Sequence, residues 1–238
     1  MPDFNIFTFE TEEEFYATAL EDTLFAIQET LDDFEEVRIG LAGGSTPKKL
    51  YEMLAQKSQG QVQEIPWSRI KLIQLDERYV PSDHRESNLK MLRETLLKKI
   101  SIPPENLLTF DTSLPPESAA KEMARKLEAV ERDRQPIFDL LILGAGADGH
   151  IASLFEDDPQ TLAETNYASP AQAYGYPTQQ RLTITIPALQ NTARTLLLLK
   201  GEAKLSLLAE MKSNPGLLPL TALKKIAKTT PPKVLYKN

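Results

Sequence analysis

Residues 138–150 read FDLLILGAGADGH: an apolar run from Phe138 to Leu143 broken only by Asp139, a turn with glycine at 144, 146 and 149, and then His150. A short, nearly continuous apolar run bounded by turn residues describes a strand buried on both faces, as in parallel sheets covered by helices. The same arrangement recurs along the chain. VRIGLA at 37–42 runs into Gly43-Gly44-Ser45-Thr46-Pro47, and IKLIQL at 70–75 runs into Asp76-Glu77-Arg78. TLLLL at 195–199 runs into Lys200-Gly201, with Lys204 one turn further on. In an open parallel sheet, ligands bind outside the carboxyl ends of the strands. The polar clusters therefore fall on one edge of the inferred sheet. Together they bring backbone donors, hydroxyls, cations, carboxylates and a histidine to one place.

Helical patterns separate these strands. Thr11 and Glu14 have capping-box spacing at the start of a helix over 11–34, in which Ala17, Leu20, Leu24, Ile27, Leu31 and Phe34 step by three and four. A second helix is expected from Pro47, a residue suited to the first helical position. A third covers 88–100, with Ser87 as N-cap and Leu89, Leu92, Leu96 and Ile100 on one face. A fourth covers 116–131, turning Ala120, Met123, Leu127 and Val130 inward, and a fifth covers 202–212. Further strands are expected at 4–9, 181–186 and 233–236. The pattern predicts one α/β domain over 1–238: a mostly parallel sheet with helices on both faces and room for one antiparallel strand pair. That pair is expected between 181–186 and 195–199. A reversal over Pro187 to Asn191 would then bring Arg181 and Lys204 together at the edge that carries GGST. Residues 157–180, with Pro159, Pro170, Gly175 and Pro177, form the most irregular stretch and read as an insertion or a lid.

Composition narrows the function. The chain has 238 residues, 41% apolar and 26% charged, which is ordinary globular usage with enough length for a sizeable core. A net charge of −7 disfavours a nucleic-acid backbone or an anionic membrane as partner, while leaving room for a local pocket for a small anion. The absence of cysteine excludes a disulfide framework, a thiolate metal site and a cysteine nucleophile. Two histidines, at 84 and 150, exclude a multi-histidine metal site, so no metal is expected. The stretch MPDFNIFTFETEEEF has no basic region followed by an apolar run, and the chain has no apolar run of about 18 residues. A cytoplasmic protein is expected.

Each cluster has a functional and a plainer reading. Gly43, Gly44, Ser45 and Thr46 ahead of a helix make a sound phosphate cradle, from free N–H groups, hydroxyls and the positive end of the helix dipole. They serve equally as a strand-to-helix turn with Ser45 or Thr46 as N-cap. The spacing is not that of a Walker A loop. GAGADG at 144–149 matches the dinucleotide pattern GxGxxG, but Asp148 would face the pyrophosphate and no strand ending in an acid follows about 20 residues on. The glycines fit better as a bend that turns Asp148 and His150 into a cleft. His150 at a strand end is the better candidate of the two histidines; His84 lies in the polar loop PSDHRES and reads as solvated. Asp76-Glu77-Arg78 is either a surface charge run or, because it abuts a buried strand, part of the cleft. Arg181 and Lys204 matter because a phosphate needs counter-charge in an acidic protein.

Four blocks in order, LAGGSTPKKLYEML, LIQLDERYVPSDHRESN, FDLLILGAGADGHIASLF, and RLTITIPAL followed by LLLLKGEAK, resemble the 6-phosphogluconolactonase family across about residues 37–204. That family is related to glucosamine-6-phosphate deaminase, and the group has a Rossmann-like parallel sheet. The resemblance implies hydrolysis of 6-phosphogluconolactone to 6-phosphogluconate in the pentose phosphate pathway, with no cofactor. It implies His150 as general base, with Arg78 in the active site and Asp76 and Asp148 as supporting carboxylates. It also implies that Gly43, Gly44, Ser45 and Thr46, with Arg181 and Lys204, hold the phosphate. The expected partner is a small phosphorylated sugar lactone, with no nucleic acid or membrane, and a monomer is favoured. Departures from the family pattern are Ala147 for a frequent Pro, Ile151 for the usual Thr, and Glu156 for a frequent Pro.

Two other readings stand beside it. One is a deaminase or isomerase of sugar phosphates on the same scaffold. Ile151 matches the deaminase pattern DGHIAFNEP, but the place of its glutamate, five residues after the histidine, is taken by Phe155, and deaminases carry an aromatic where Arg78 stands. The other is a non-catalytic sugar-phosphate sensor, which calls for a fused DNA-binding module unlike the acidic, helix-rich N-terminal region.

Overall fold

The structure is a computed structural model and describes residues 4–59, 65–213 and 231–238. Strands β1 (Asn5–Phe9), β2 (Val37–Leu41), β3 (Ile70–Gln74) and β4 (Asp76–Arg78) alternate with helices α1 (Glu12–Asp33), α2 (Ser45–Ser58) and α3 (Asn88–Thr95). Then follow β5 (Leu107–Leu108), α4 (Pro116–Asp133), β6 (Phe138–Gly144), α5 (Pro159–Leu162), β7 (Ala168–Gln172) and β8 (Gln180–Ile184). The chain ends with α6 (Ile186–Leu189), β9 (Thr192–Lys200), α7 (Leu205–Ser213) and β10 (Lys233–Lys237).

Among the described residues, seven strands form a parallel sheet in the order β1-β10-β9-β6-β2-β3-β5. Alternate residues of the central strands feed two separate cores, as buried parallel strands require. Leu140 and Ile142 of β6 join Ile39 and Leu41 against the face covered by α1, α2 and α3. Leu141 and Leu143 point the other way, into a core with Met123 and Leu127 of α4 and Leu207 of α7. From β2 the chain adds β3 and β5 on one side and then returns to place β6 on the other. This reversal of winding direction opens a crevice at the carboxyl ends of β2 and β6, where α/β sheets bind ligands.

The second sheet corrects the expected strand pairing. Residues 181–186 do not pair with 195–199. Strand β8 runs antiparallel between β4 and β7 in a separate three-stranded sheet, with Arg78 opposite Arg181, while β9 runs parallel between β10 and β6. The polar segment Asp76–Arg78 leaves the main sheet after Leu75 and supplies the edge that β8 needs. Most of the irregular stretch 157–180 belongs to this sheet or leads into it. Asp158 caps α5, accepting from Thr161 N at 3.3 Å, and also accepts from Gln172 N of β7 at 2.7 Å. Strands β7 and β8 lie against α4, so part of this face is covered by a sheet where helices were expected.

Local capping follows the sequence in two places and departs from it in a third. Thr11 accepts from Glu14 N, and Ser87 accepts from Lys90 N. Helix α2 starts at Ser45, two residues before Pro47, and its N-cap is Gly44 at φ 102, which offers no side chain. Neither Ser45 nor Thr46 is the cap. On α1 the fully buried residues are Phe15, Tyr16, Ala19, Thr23, Ala26 and Ile27, while Leu20, Leu24 and Leu31 of the expected stripe pack partly buried against the same core. Small residues there let the helix approach the sheet closely. Phe34 is largely exposed, under the Arg134 guanidinium.

Candidate active site

At the switch point the loops after β2, β6 and β9 and the edge of the second sheet enclose a cleft of about 260 Å³. That is just below the usual range for small-molecule sites, about 300–1,000 Å³, and suits a compact ligand. The cleft brings together Gly43, Gly44, Ser45 and Thr46 with Asp76, Arg78, His150, Arg181 and Lys204. Asp148 is not part of the wall but is bonded to the His150 ring. Arg181 thus reaches the cleft from the second sheet and Lys204 from the turn after β9, by a route other than the expected strand pairing.

His150 is set by the turn that follows β6. Gly146 N donates to His150 O at 2.8 Å, and the imidazole lies over Gly146 so closely that a Cβ there would come 2.1 Å from Nδ1. Asp148 Oδ1 is 2.6 Å from Nδ1. This contact holds Nδ1 as the protonated nitrogen and leaves Nε2 as the basic one. Burial alone would raise the Asp148 pKa, but the hydrogen bonds from His150 and Tyr176 outweigh it and hold the carboxyl well below its usual range. The imidazole also packs against Phe155, with centroids 4.4 Å apart and the rings tilted by 38°.

The opposite wall is cationic. Arg78 and Arg181 face each other directly across β4 and β8, and like charges so placed repel. Arg181 is 6% exposed; burial first, and then the Arg78 charge, lower its pKa. Arg78 Nη1 donates to Glu86 O at 2.7 Å, while its buried Nε has no hydrogen-bond partner among the described residues. Lys204 is also held below its usual range by burial, against the pull of Asp148. Lys200 reaches the same wall but is paired with Glu12. Beside these cations, α2 presents its first turn with a glycine cap and no side chain over its N–H groups. A buried arginine, a half-buried one beside it, a desolvated lysine and a bare helix N-terminus make a site for an anion.

Asp76 is buried, and both its oxygens are occupied. Ser153 Oγ donates to Oδ2 at 2.8 Å, and Asn88 Nδ2 donates to Oδ1 at 3.1 Å. Its geometry is that of a brace between β4, α3 and the segment after His150. Glu77 points away from the cleft and gathers α3, accepting from Ser87 Oγ, Asn88 N and Leu89 N. Asn88 was missed in the sequence; its amide fills the space that a side chain on Gly43 would need. Tyr176 was missed too. It lies on the irregular loop between β7 and β8, where no periodicity marks a residue. His84 is exposed and accepts from Glu86 N at 3.2 Å. Among the described residues no group of three or more carboxylates or histidines is arranged to hold a metal ion, and no helix is long and apolar enough to cross a membrane.

Residues 10–231 match the family described as glucosamine-6-phosphate isomerases/6-phosphogluconolactonase. Over 190 residues the chain is 37% identical to a 6-phosphogluconolactonase of Thermotoga maritima, covering 79% of this chain and 81% of that protein. It is 39% identical over 189 residues to a 6-phosphogluconolactonase of Homo sapiens, covering 77% and 71%. A crystal structure of 6-phosphogluconolactonase from Thermotoga maritima superposes with a TM-score of 0.84 at 32% identity, covering 99% of both chains.

Proposed function

The chain belongs to the glucosamine-6-phosphate isomerase/6-phosphogluconolactonase family, and on that premise we propose that it is the lactonase, hydrolysing 6-phospho-D-glucono-1,5-lactone to 6-phospho-D-gluconate in the oxidative pentose phosphate pathway. The observation that carries this reading is the Asp148–His150 pair sharing a cleft with Arg78, Arg181 and Lys204 in an acidic protein. The base and the cations share one cleft, which suits a substrate that carries both a reacting carbon and a phosphate.

The chemistry asks little of the protein beyond placement. A lactone carbonyl is already activated, so hydrolysis needs a positioned water, a base and stabilisation of the developing oxyanion. Neutral His150 takes the proton from water through Nε2, and the hydroxide adds to C1. The new negative charge rests on cleft donors, Arg78 foremost among the side chains. The ring oxygen then leaves with the proton that His150 has taken. Asp148 holds the imidazole in the required tautomer and stabilises its protonated form. The first turn of α2, Arg181 and Lys204 hold the phosphate, whose binding energy orients the lactone. Asp76 braces the wall. The chain works as one lactonase domain in the cytoplasm.

The deaminase alternative is disfavoured at one position. Phe155 stands where the deaminase glutamate is expected, buried against the His150 ring, and Glu156 is exposed. Ile151, the residue shared with deaminases, lies in the core, where either family's choice of side chain is a packing matter. A side-by-side assay decides: acid release from the phosphorylated lactone against ammonia release from glucosamine 6-phosphate. Lactone hydrolysis without ammonia supports the proposal, and ammonia without lactone hydrolysis overturns it.

A further inference from the structure

Tyr176 sits between Gly175, at φ 78, and Pro177 on the loop that joins β7 to β8. Its hydroxyl donates to Asp148 Oδ2 at 3.0 Å and lies 3.5 Å from His150 Nδ1. Its ring meets the His150 ring edge-on at 5.7 Å, and the Arg181 guanidinium lies 5.8 Å from its centroid. Two residues on, Thr178 donates its hydroxyl to Glu86, and its carbonyl accepts from Arg181 Nε at 2.8 Å. One loop is therefore fastened twice, to the base by Tyr176 and to the arginine wall by Thr178.

Resting on the lactonase reading, we propose that Tyr176 is a positioning residue for the base, fixing Asp148 and through it the orientation and tautomer of His150, while its ring walls the lactone subsite. Asp148 needs such a holder. It projects from a glycine-rich turn with 45% of its side chain exposed, and the His150 contact uses only Oδ1. With Oδ2 left to water, the carboxylate would rotate and carry the imidazole off its line. A base oriented by a second group that a third group holds is the general pattern of activated catalytic sites. The phenol stays a donor, because burial and the Asp148 charge push its pKa up to about 12. Arg181 and Asp157 act on Tyr176 from β8 and from the segment after Phe155, and Lys204 faces Asp148 from the turn after β9.

Tyr176→Phe keeps the ring and removes only the hydroxyl. Its kcat for the phosphorylated lactone falls about tenfold, the scale of a small misplacement of a catalytic group, with KM little changed. Without the phenol, Asp148 accepts more strongly from Nδ1–H and favours the imidazolium, so the acid limb of kcat/KM moves to higher pH. Tyr176→Ala also removes the wall and raises KM. A second readout needs no substrate: the His150 ring titration followed by NMR, separated from His84 by comparison with His150→Ala, moves upward in Tyr176→Phe. If Tyr176→Phe keeps the wild-type kcat, pH profile and His150 titration, the proposal is overturned while the lactonase reading stands. If the wild type fails to hydrolyse the lactone, that reading falls, and the NMR titration alone decides the role of Tyr176.

Discussion

Arg181→Met separates the phosphate site from the scaffold that carries it. The substitution keeps an apolar stem of similar reach and removes a buried charge set opposite Arg78. In the free protein two effects oppose. The Thr178 carbonyl loses its 2.8 Å donor, but the repulsion between facing guanidinia disappears. Thermal stability without ligand therefore stays close to wild type. Binding behaves otherwise. A hydrogen bond to a charged group is worth about 1.5–3 kcal/mol, so losing one from Arg181 to phosphate weakens binding by about 10- to 150-fold. The assay is kcat/KM for the phosphorylated lactone against the same lactone without phosphate, with the rise in Tm on adding 6-phosphogluconate as a second readout. The phosphorylated lactone suffers the full loss, the plain lactone little, and the rise in Tm shrinks. Equal losses for both lactones, or an undiminished rise in Tm, would refute the assignment of Arg181 to the phosphate.

The remaining expectations concern the base and its supports. His150→Ala removes about 10²- to 10⁴-fold of the rate above spontaneous opening while still binding 6-phosphogluconate, which isothermal calorimetry reads. Asp148 is ionised throughout the working range, because its contacts hold it well below its usual pKa. Asp148→Asn therefore removes a charge that favours the imidazolium; kcat falls and the acid limb of kcat/KM moves to lower pH, opposite to the shift in Tyr176→Phe. Lys204→Ala raises KM for the phosphorylated lactone with little effect on the plain one. Glu77→Gln turns an amide towards the N–H groups of Asn88 and Leu89 and costs about 2–4 kcal/mol in urea unfolding, without moving the pH profile of the folded enzyme.

The parts of the fold that could be read in advance are those with a period or a punctuation mark. Strand β6 announces itself by an apolar run broken only by Asp139, and α4 by Ala120, Met123, Leu127 and Val130 at helical spacing. Asp148 and His150 could be found because a chain with few glycines concentrates them around this pair. The pairing of β8 could not be read, because nothing local in RLTITI distinguishes a strand of the main sheet from one that needs Asp76–Arg78 as its neighbour. Arg181 was still placed in the cleft, because charge demand in an acidic protein pointed to it whatever the topology. Tyr176 and Asn88 had no such signal. The first owes its place to a loop fastened by Thr178 and Glu86, the second to the missing side chain of Gly43. Both depend on contacts between segments far apart in the chain.

In the proposed reaction the Asp148–His150 pair hydrolyses a lactone held by its phosphate. Its most direct test is the rate of acid release from freshly prepared 6-phosphogluconolactone near neutral pH, corrected for spontaneous opening and run beside His150→Ala. The wild type shows a saturable rate far above background, and the variant a rate near background. A wild-type rate no faster than spontaneous opening, or a variant as fast as the wild type, would contradict it.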